Sequence, residues 1–160
     1  MIPIIRLHHA MLYVRDLDRS VAFYREAFGF EEIAREGGMV SLLRIPGSPN
    51  QHDLAFLQVG GDAPRPSRGS TGLYHLAWEV PSIEDLAAAA KQLSAMRALT
   101  GASDHGATKS VYGRDPDGIE FEVTWMVPRL YWGEWAHHGV VRPLDLDTEL
   151  ERWGRPAARA

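Results

Sequence analysis

Two histidines and one glutamate stand at positions where they could share a metal ion. His9 and His75 occupy the same place in two similar stretches, and Glu122 lies in the last run of alternating apolar residues. Side chains alternate across a β-strand, so in each run the His or Glu lies opposite an apolar face. Two neutral imidazoles and one carboxylate form the facial ligand set of non-haem Fe(II), which leaves positions open for a substrate and dioxygen.

An internal duplication brings these residues into equivalent settings. The stretch 7–14 aligns with 73–80, and His75 follows His9 by 66 positions. Each copy is followed by a helix start, with Asp16 and Asp18 in the first copy and Ser82 in the second, before apolar residues spaced three and four apart. Short alternating runs then predict three strands per copy, at 31–35, 39–45 and 53–59, and at 97–101, 109–114 and 119–127.

The duplication predicts an α+β fold of two tandem βαβββ modules, whose strands form a curved, cup-shaped mixed sheet with the helices outside. One domain would span residues 1–127, with module 1 at 4–59, a turn-rich linker at 60–70 and module 2 at 71–127. Residues 128–160 would form a C-terminal extension and tail. We expect its aromatic part to pack on the domain or on a second subunit, and a short helix near 146–153.

Composition and charge indicate which kinds of partner and which cellular compartment to expect. The 160 residues carry a net charge of −4, which offers no positive field for a nucleic acid. Cysteine is absent, which excludes disulfides and thiolate ligands and suits a reducing compartment. No leader and no apolar run of 18 residues is found, so a cytoplasmic protein without a membrane partner is expected.

The same residues carry a resemblance to a known superfamily. The stretch 9–24, the stretch 75–80 and the turn at 115–118 followed by Glu122 resemble the vicinal oxygen chelate superfamily. That superfamily holds glyoxalases, epimerases, fosfomycin and bleomycin resistance proteins, and type I extradiol dioxygenases. The resemblance implies paired βαβββ modules with His9, His75 and Glu122 as the metal ligands.

Further positions are similar to the extradiol dioxygenases in particular. His52 precedes a Leu-Ala-Phe run, His105 lies in Asp-His-Gly, and Tyr112 stands ten residues before Glu122. This similarity implies that His52 handles the oxygen intermediates and supplies a proton, while His105 and Tyr112 hydrogen-bond the catecholate or the ring-opened product. The expected function is therefore an Fe(II)-dependent extradiol-type dioxygenase that acts on a catechol-like aromatic with O2, as a homodimer.

Alternatives remain for single residues. Glu120 shares the strand face of Glu122 and is a rival third ligand, although the spacing from the turn favours Glu122. Asp53, the only acid near the fourth strand, is interpreted as a solvated strand end. His8, of opposite parity to His9, is expected to face the helix layer or its rim.

Two other functions also remain open. A lyase or isomerase of the superfamily would use the same ligands with Mn(II), Zn(II) or Ni(II) to polarise an enediolate. A metal-free module that binds an aromatic or drug-like molecule, as bleomycin-resistance relatives do, would need no cation.

Overall fold

The chain divides into two compact units in a computed structural model, which describes residues 1–67 and 69–154. Unit 1 comprises Met1–Gly69 with Pro116–Gly118, and unit 2 comprises Ser70–Asp115 with the residues from Ile119 on. Arg68 of the predicted linker and the predicted tail at 155–160 lie outside the described residues. Within the described part, no helix is long and apolar enough to cross a membrane.

Unit 1 contains one βαβββ module. Its elements are β1 (Ala10–Val14), α1 (Leu17–Phe28), β2 (Glu31–Glu36), β3 (Val40–Arg44) and β4 (Leu54–Gln58). The sheet order is β1-β4-β3-β2, in which β1 and β4 are parallel and the other pairs are antiparallel. Asp16 caps α1 by accepting a hydrogen bond from the Arg19 backbone N–H, and Gly29 ends the helix with a left-handed φ of 71°.

The apolar face of β1 packs under α1. Leu12 and Val14 are buried, as are Val21 and Tyr24 of the helix. The ring of Tyr24 lies 5.1 Å from that of Phe56 on β4. Because the inward side chains of β1 bury the sheet against α1, the opposite face of the strand keeps Met11 and Tyr13 exposed.

Unit 2 repeats the module and extends it. Its elements are β5 (His75–Val80), α2 (Ile83–Ala95), β6 (Leu99–Asp104), β7 (Thr108–Arg114), β8 (Glu120–Met126), β9 (Arg142–Pro143) and α3 (Leu146–Trp153), with 3₁₀ turns at Arg129–Tyr131 and Gly133–Ala136. The sheet order is β5-β8-β7-β6-β9, in which β5 and β8 are parallel. Ser82 caps α2 by accepting a hydrogen bond from the Asp85 backbone N–H.

The predicted α+β class and the repeated βαβββ order are confirmed, as is the helix at 146–153. Some strand bounds differ from those predicted. First, the repeated stretches 7–14 and 73–80 form strands only from Ala10 and from His75. Second, the strand predicted at 97–101 runs from Leu99 to Asp104. Arg97 explains the second difference, because its φ of 57° makes a turn between α2 and β6.

The C-terminal extension, defined as residues 128–154, packs on the second sheet. The ring of Trp153 lies 5.9 Å from Trp125 of β8 and 4.9 Å from Tyr131. Beneath α3, the Lys109 ammonium lies 2.6 Å from Asp104 and 3.5 Å from Glu149, with its side chain only 5% exposed. Tilted and edge-to-face ring contacts, together with a buried ionic cluster, therefore fix the extension to the second sheet.

Candidate active site

His75 and Glu122 meet on adjacent strands of unit 2. The parallel register aligns His75 with Glu120 and Ala77 with Glu122, so the side chains of His75 and Glu122 lie on one face of the sheet. His75 Nε2 is 2.9 Å from Glu122 Oε2, and both side chains are largely buried. The buried His75 Nδ1 has no hydrogen-bond partner within residues 1–67 and 69–154, so Glu122 is the group that orients this ring.

Glu120, the rival third ligand, has a different partner. Its Oε2 lies 3.4 Å from the Arg114 guanidinium on β7, which is its partner in the strand register. The carboxylate of Glu120 is thus drawn to a cation of its own sheet, whereas that of Glu122 faces an imidazole. This contact supports Glu122 over Glu120 as the ligand.

Tyr112 joins Glu122 to a second histidine. The Tyr112 hydroxyl is 2.6 Å from His105 Nε2 and 3.5 Å from Glu122 Oε1, so the contact with His105 is the closer of the two. Burial, followed by the charge of Glu122, raises the pKa of Tyr112 to about 12. The phenol is therefore protonated at neutral pH and can act both as a donor and as an acceptor.

The turn after β6 holds His105 in place. Asp104 accepts a hydrogen bond from the Gly106 N–H at 2.7 Å, and the His105 N–H donates to Thr108 O at 2.9 Å. On its other side, His105 Nδ1 is 2.8 Å from the carbonyl oxygen of Val140. Both ring nitrogens of His105 consequently have partners, and one of them comes from the C-terminal extension.

Unit 1 contains a separate group of three imidazoles. The His9 ring centroid lies 4.4 Å from that of His52 and 5.2 Å from that of His8. His8 Nδ1 and His9 Nδ1 are 3.0 Å apart, while His52 Nδ1 is 2.5 Å from Gln51 Oε1. Desolvation, reinforced by His9 and His8, lowers the pKa of His52. The predicted ligand His9 and the predicted catalytic residue His52 are thus neighbours.

The expectation for His8 was wrong. It placed the ring at the helix layer or its rim, on the side opposite to His9, but the exposed His8 ring contacts both His9 and His52. The physical reason is that β1 begins at Ala10, so His8 precedes the strand and the alternation of side chains does not apply to it.

Asp53 is not a solvated strand end. Its carboxylate is buried and accepts hydrogen bonds from the Ile45 N–H, the Ser48 hydroxyl and the Asn50 amide at 2.7–2.8 Å. Burial alone would raise the pKa of Asp53, but these three donors outweigh it and lower the pKa. Asp53 therefore holds the loop 45–50 that leads to His52.

The donor atoms of unit 2 suit a divalent cation. Adjacent ligands of one cation, at bond lengths of about 2.1 Å, stand roughly 3 Å apart, and the 2.9 Å between His75 Nε2 and Glu122 Oε2 fits that spacing. Over the described residues, however, no group of three or more His, Asp or Glu side chains is arranged to hold a metal ion. The three-ligand set of His9, His75 and Glu122 stays a prediction.

Two neighbours of His105 could not be predicted from the sequence. These are the Val140 carbonyl and Trp135, whose ring lies against Gly106 so closely that a Cβ there would come within 2.5 Å of Trp135 Cγ. A backbone carbonyl has no residue signature, and both groups are some 30 positions from His105 in the chain. The aromatic character of the extension was the only available hint.

Two curated proteins with similar sequences are ring-cleavage dioxygenases by name. The chain is 30% identical over 125 residues to a catechol-2,3-dioxygenase of Bacillus subtilis (strain 168), over 78% of this chain and 42% of the relative. It is 28% identical over 130 residues to a manganese-dependent 2,3-dihydroxybiphenyl 1,2-dioxygenase of Geobacillus genomosp. 3, over 79% of this chain and 38% of the relative. The chain therefore spans about two fifths of the length of these curated relatives.

A solved structure shares the fold. The glyoxylase/bleomycin resistance protein/dioxygenase domain from Frankia sp. EAN1pec superposes with a TM-score of 0.64 at 27% identity, over 78% of this chain and 99% of that domain. A sequence profile of one superfamily matches residues 6–123, which include His9, His75 and Glu122. The chain belongs to the glyoxalase/bleomycin resistance protein/dioxygenase superfamily, also called the vicinal oxygen chelate superfamily.

Proposed function

We propose that this protein is a metal-dependent extradiol-type ring-cleavage dioxygenase that acts on a catechol-like aromatic with O2. The observation that carries the proposal is the hydrogen-bonded pair of Tyr112 and His105 beside Glu122. A phenol and an imidazole next to a carboxylate ligand form a path for the proton that a bound catechol must lose. The similarity to a catechol-2,3-dioxygenase supports the same chemistry.

His9, His75 and Glu122 would hold the cation, which we take to be Fe(II) or Mn(II). A cation bound there would supply Lewis acidity for the two catechol oxygens and a coordination position for O2. The two imidazoles are neutral and the carboxylate carries one negative charge, so the site retains one positive charge for a monoanionic catecholate. The name of the Geobacillus relative supports manganese.

The overall reaction balances without another reductant. The ring carbon–carbon bond next to one hydroxylated carbon breaks, and both atoms of O2 enter the ring-opened product. The catechol supplies the electrons that reduce O2. One hydroxyl proton must leave the substrate early and a proton must return as the oxygen–oxygen bond breaks, so the protein needs groups that hold protons.

Tyr112 and His105 would serve the first of these steps. The Tyr112 oxygen can accept a hydrogen bond from a substrate hydroxyl while its own proton points to His105 Nε2, 2.6 Å away. His105 can then receive the phenol proton. His52, which lies beside His9, would contact the oxygen side of the substrate and supply the later proton.

Oxygen consumption tests the proposal. The protein is stripped of metal, loaded anaerobically with Fe(II) or Mn(II), and mixed with a panel of catechols in an oxygen electrode cell. We expect O2 uptake equal to substrate consumed and a yellow ring-opened product, both absent from the metal-stripped protein and from Glu122→Gln. No uptake and no yellow product across the panel would overturn the proposal, and would favour a lyase, an isomerase or a binding protein of the same superfamily.

A further inference from the structure

We infer that the C-terminal extension sets the tautomer of His105: the Val140 carbonyl fixes the Nδ1–H form, so that Nε2 accepts the proton of Tyr112. Val140 is thereby a positioning residue that acts through its backbone. The catalytic meaning of this inference rests on the proposed function, but the tautomer itself can be measured without any turnover.

The hydrogen bonds define the tautomer. A carbonyl oxygen can only accept, so the 2.8 Å contact between Val140 O and His105 Nδ1 requires a proton on Nδ1. A neutral imidazole carries one N–H, which leaves Nε2 as an acceptor for the Tyr112 hydroxyl at 2.6 Å. The phenol proton consequently points away from Glu122, and the lone pairs of the Tyr112 oxygen face the candidate site.

The arrangement suits a proton relay. As a substrate O–H bond breaks, its proton binds the Tyr112 oxygen while the phenol proton moves to His105 Nε2, and the Tyr112–substrate hydrogen bond reverses direction. His105 becomes an imidazolium with N–H groups at both nitrogens. The Val140 carbonyl accepts from Nδ1 before and after this transfer, so its dipole stabilises the charge that develops on the ring.

Three residues hold the Val140 carbonyl over His105. The Trp135 ring lies directly against Gly106, the residue after His105, whose φ of 78° is in the glycine region. The Arg142 guanidinium stacks over the same ring, 4.8 Å from its centroid. Arg142 also belongs to β9, where it pairs with Asp104 of β6. The Trp135 ring is thus held between Gly106, which follows His105, and Arg142 of β9, the strand after Val140. We call this arrangement the clamp.

Nitrogen NMR of the metal-free protein tests the inference. In protein labelled with ¹⁵N-histidine, the His105 signals are those that disappear in His105→Gln. We expect its Nδ1 to resonate as a protonated, pyrrole-type nitrogen and its Nε2 as an unprotonated, pyridine-type nitrogen. Trp135→Leu removes the clamp and should give a mixture of tautomers, and Trp135→Phe, which keeps a ring, should restore the wild-type pattern. A pyrrole-type Nε2 in the wild type, or an unchanged pattern in Trp135→Leu, would overturn the inference.

A matched variant separates a local effect from general damage to the extension. Trp132 also lies in the extension, where its Nε1–H donates to Val127 O and Arg129 stacks over its ring at 5.0 Å, but it does not contact His105. Trp132→Leu should leave the His105 resonances unchanged. If it mixes the tautomers as much as Trp135→Leu does, the effect is not specific to the clamp and the inference fails.

An ester substitution changes the acceptor directly. Replacing Val141 by the corresponding α-hydroxy acid turns the Val140 carbonyl into an ester carbonyl, a weaker acceptor, and leaves every side chain in place. We expect the His105 Nδ1 signal to shift and, if the proposed dioxygenase activity is present, kcat to fall roughly tenfold with KM little changed. An unshifted Nδ1 signal would contradict the inference, whereas a normal tautomer in a protein without O2 uptake would remove only the proposed function.

Discussion

His75 and Glu122 face each other from parallel neighbouring strands, with Nε2 of one 2.9 Å from Oε2 of the other. The register that aligns Ala77 with Glu122 brings the two side chains onto one face of unit 2. A divalent cation of suitable size would be held by the same two atoms. The pairing of β5 with β8 thus brings the two predicted ligands of the second module, His75 and Glu122, into contact.

Removal of the Glu122 carboxylate should weaken metal binding much more than removal of the Glu120 carboxylate. Glu122→Gln keeps the size of the side chain but loses the charge that faces His75, so we expect the affinity for Mn(II) to fall by at least 10- to 100-fold. Calorimetric titration of metal-free protein measures this. The matched control is Glu120→Gln, whose carboxylate pairs with Arg114 and should leave the affinity within a few fold; equal losses in the two variants would contradict the assignment.

Tyr112 should matter for turnover more than for folding. Tyr112→Phe removes the hydroxyl that lies 2.6 Å from His105, so we expect kcat for catechol cleavage to drop roughly 100-fold or more. The thermal midpoint should change little, because the aromatic ring is retained. Tyr131→Phe, an exposed ring on the extension, is the control and should keep wild-type turnover. A Tyr112→Phe enzyme with full kcat would remove this residue from the proposed mechanism.

The buried cluster under α3 should make stability depend on pH in the acid range. Burial alone would raise the pKa of Asp104, but hydrogen bonds from Lys109 and the Gly106 N–H outweigh it and lower the pKa below 3.8. The stabilisation is therefore complete above the unfolded-state pKa and is lost as the pH falls through the lower, folded-state value.

Denaturation of Asp104→Asn measures that contribution. At pH 7 we expect a loss of about 3 kcal/mol in the free energy of unfolding, because Lys109 loses its nearer buried partner. The difference from wild type should begin to shrink as the pH falls below the unfolded-state pKa of about 3.9, where the unfolded chain takes up a proton that folded Asp104 does not, and should vanish only below the lower folded-state pKa. Glu151→Gln, an exposed change on α3, should be neutral; a difference that grows towards low pH would refute the assigned sign.

Asp53 should stabilise the loop that leads to His52. Asp53→Asn weakens the three hydrogen bonds to residues 45, 48 and 50, so we expect a loss of about 1–3 kcal/mol in the free energy of unfolding. Hydrogen exchange of the Ile45 amide should speed up in this variant. The exposed Asp62→Asn provides the comparison, and a similar small effect of both substitutions would show that Asp53 is not structural.

The sequence predicted the parts of the molecule that local rules determine. The caps at Asp16 and Ser82 place both module helices, and the glycine conformation at Gly29 ends the first one. The alternation of side chains in the last strand put Glu122 opposite an apolar face, which is why its approach to His75 could be expected. The offset between the two copies then identified His9 as the equivalent of His75.

The remaining features depend on long-range contacts or on strand bounds. His8 was misjudged because β1 begins at Ala10, three residues after the start of the repeated stretch 7–14. The buried role of Asp53 comes from donors in a loop, and the partner of His105 is a carbonyl 35 residues away, neither of which leaves a periodic pattern. The homodimer, the cytoplasmic location and the full ligand set stay predictions.

The most direct measurement of the central claim is pulsed electron paramagnetic resonance of the Mn(II)-loaded protein. We predict stoichiometric binding with coupling from two histidine nitrogens, one of which disappears in His9→Gln and the other in His75→Gln, while Glu122→Gln lowers the occupancy. A Mn(II) centre whose nitrogen couplings are the same in wild type, His9→Gln and His75→Gln would contradict the account.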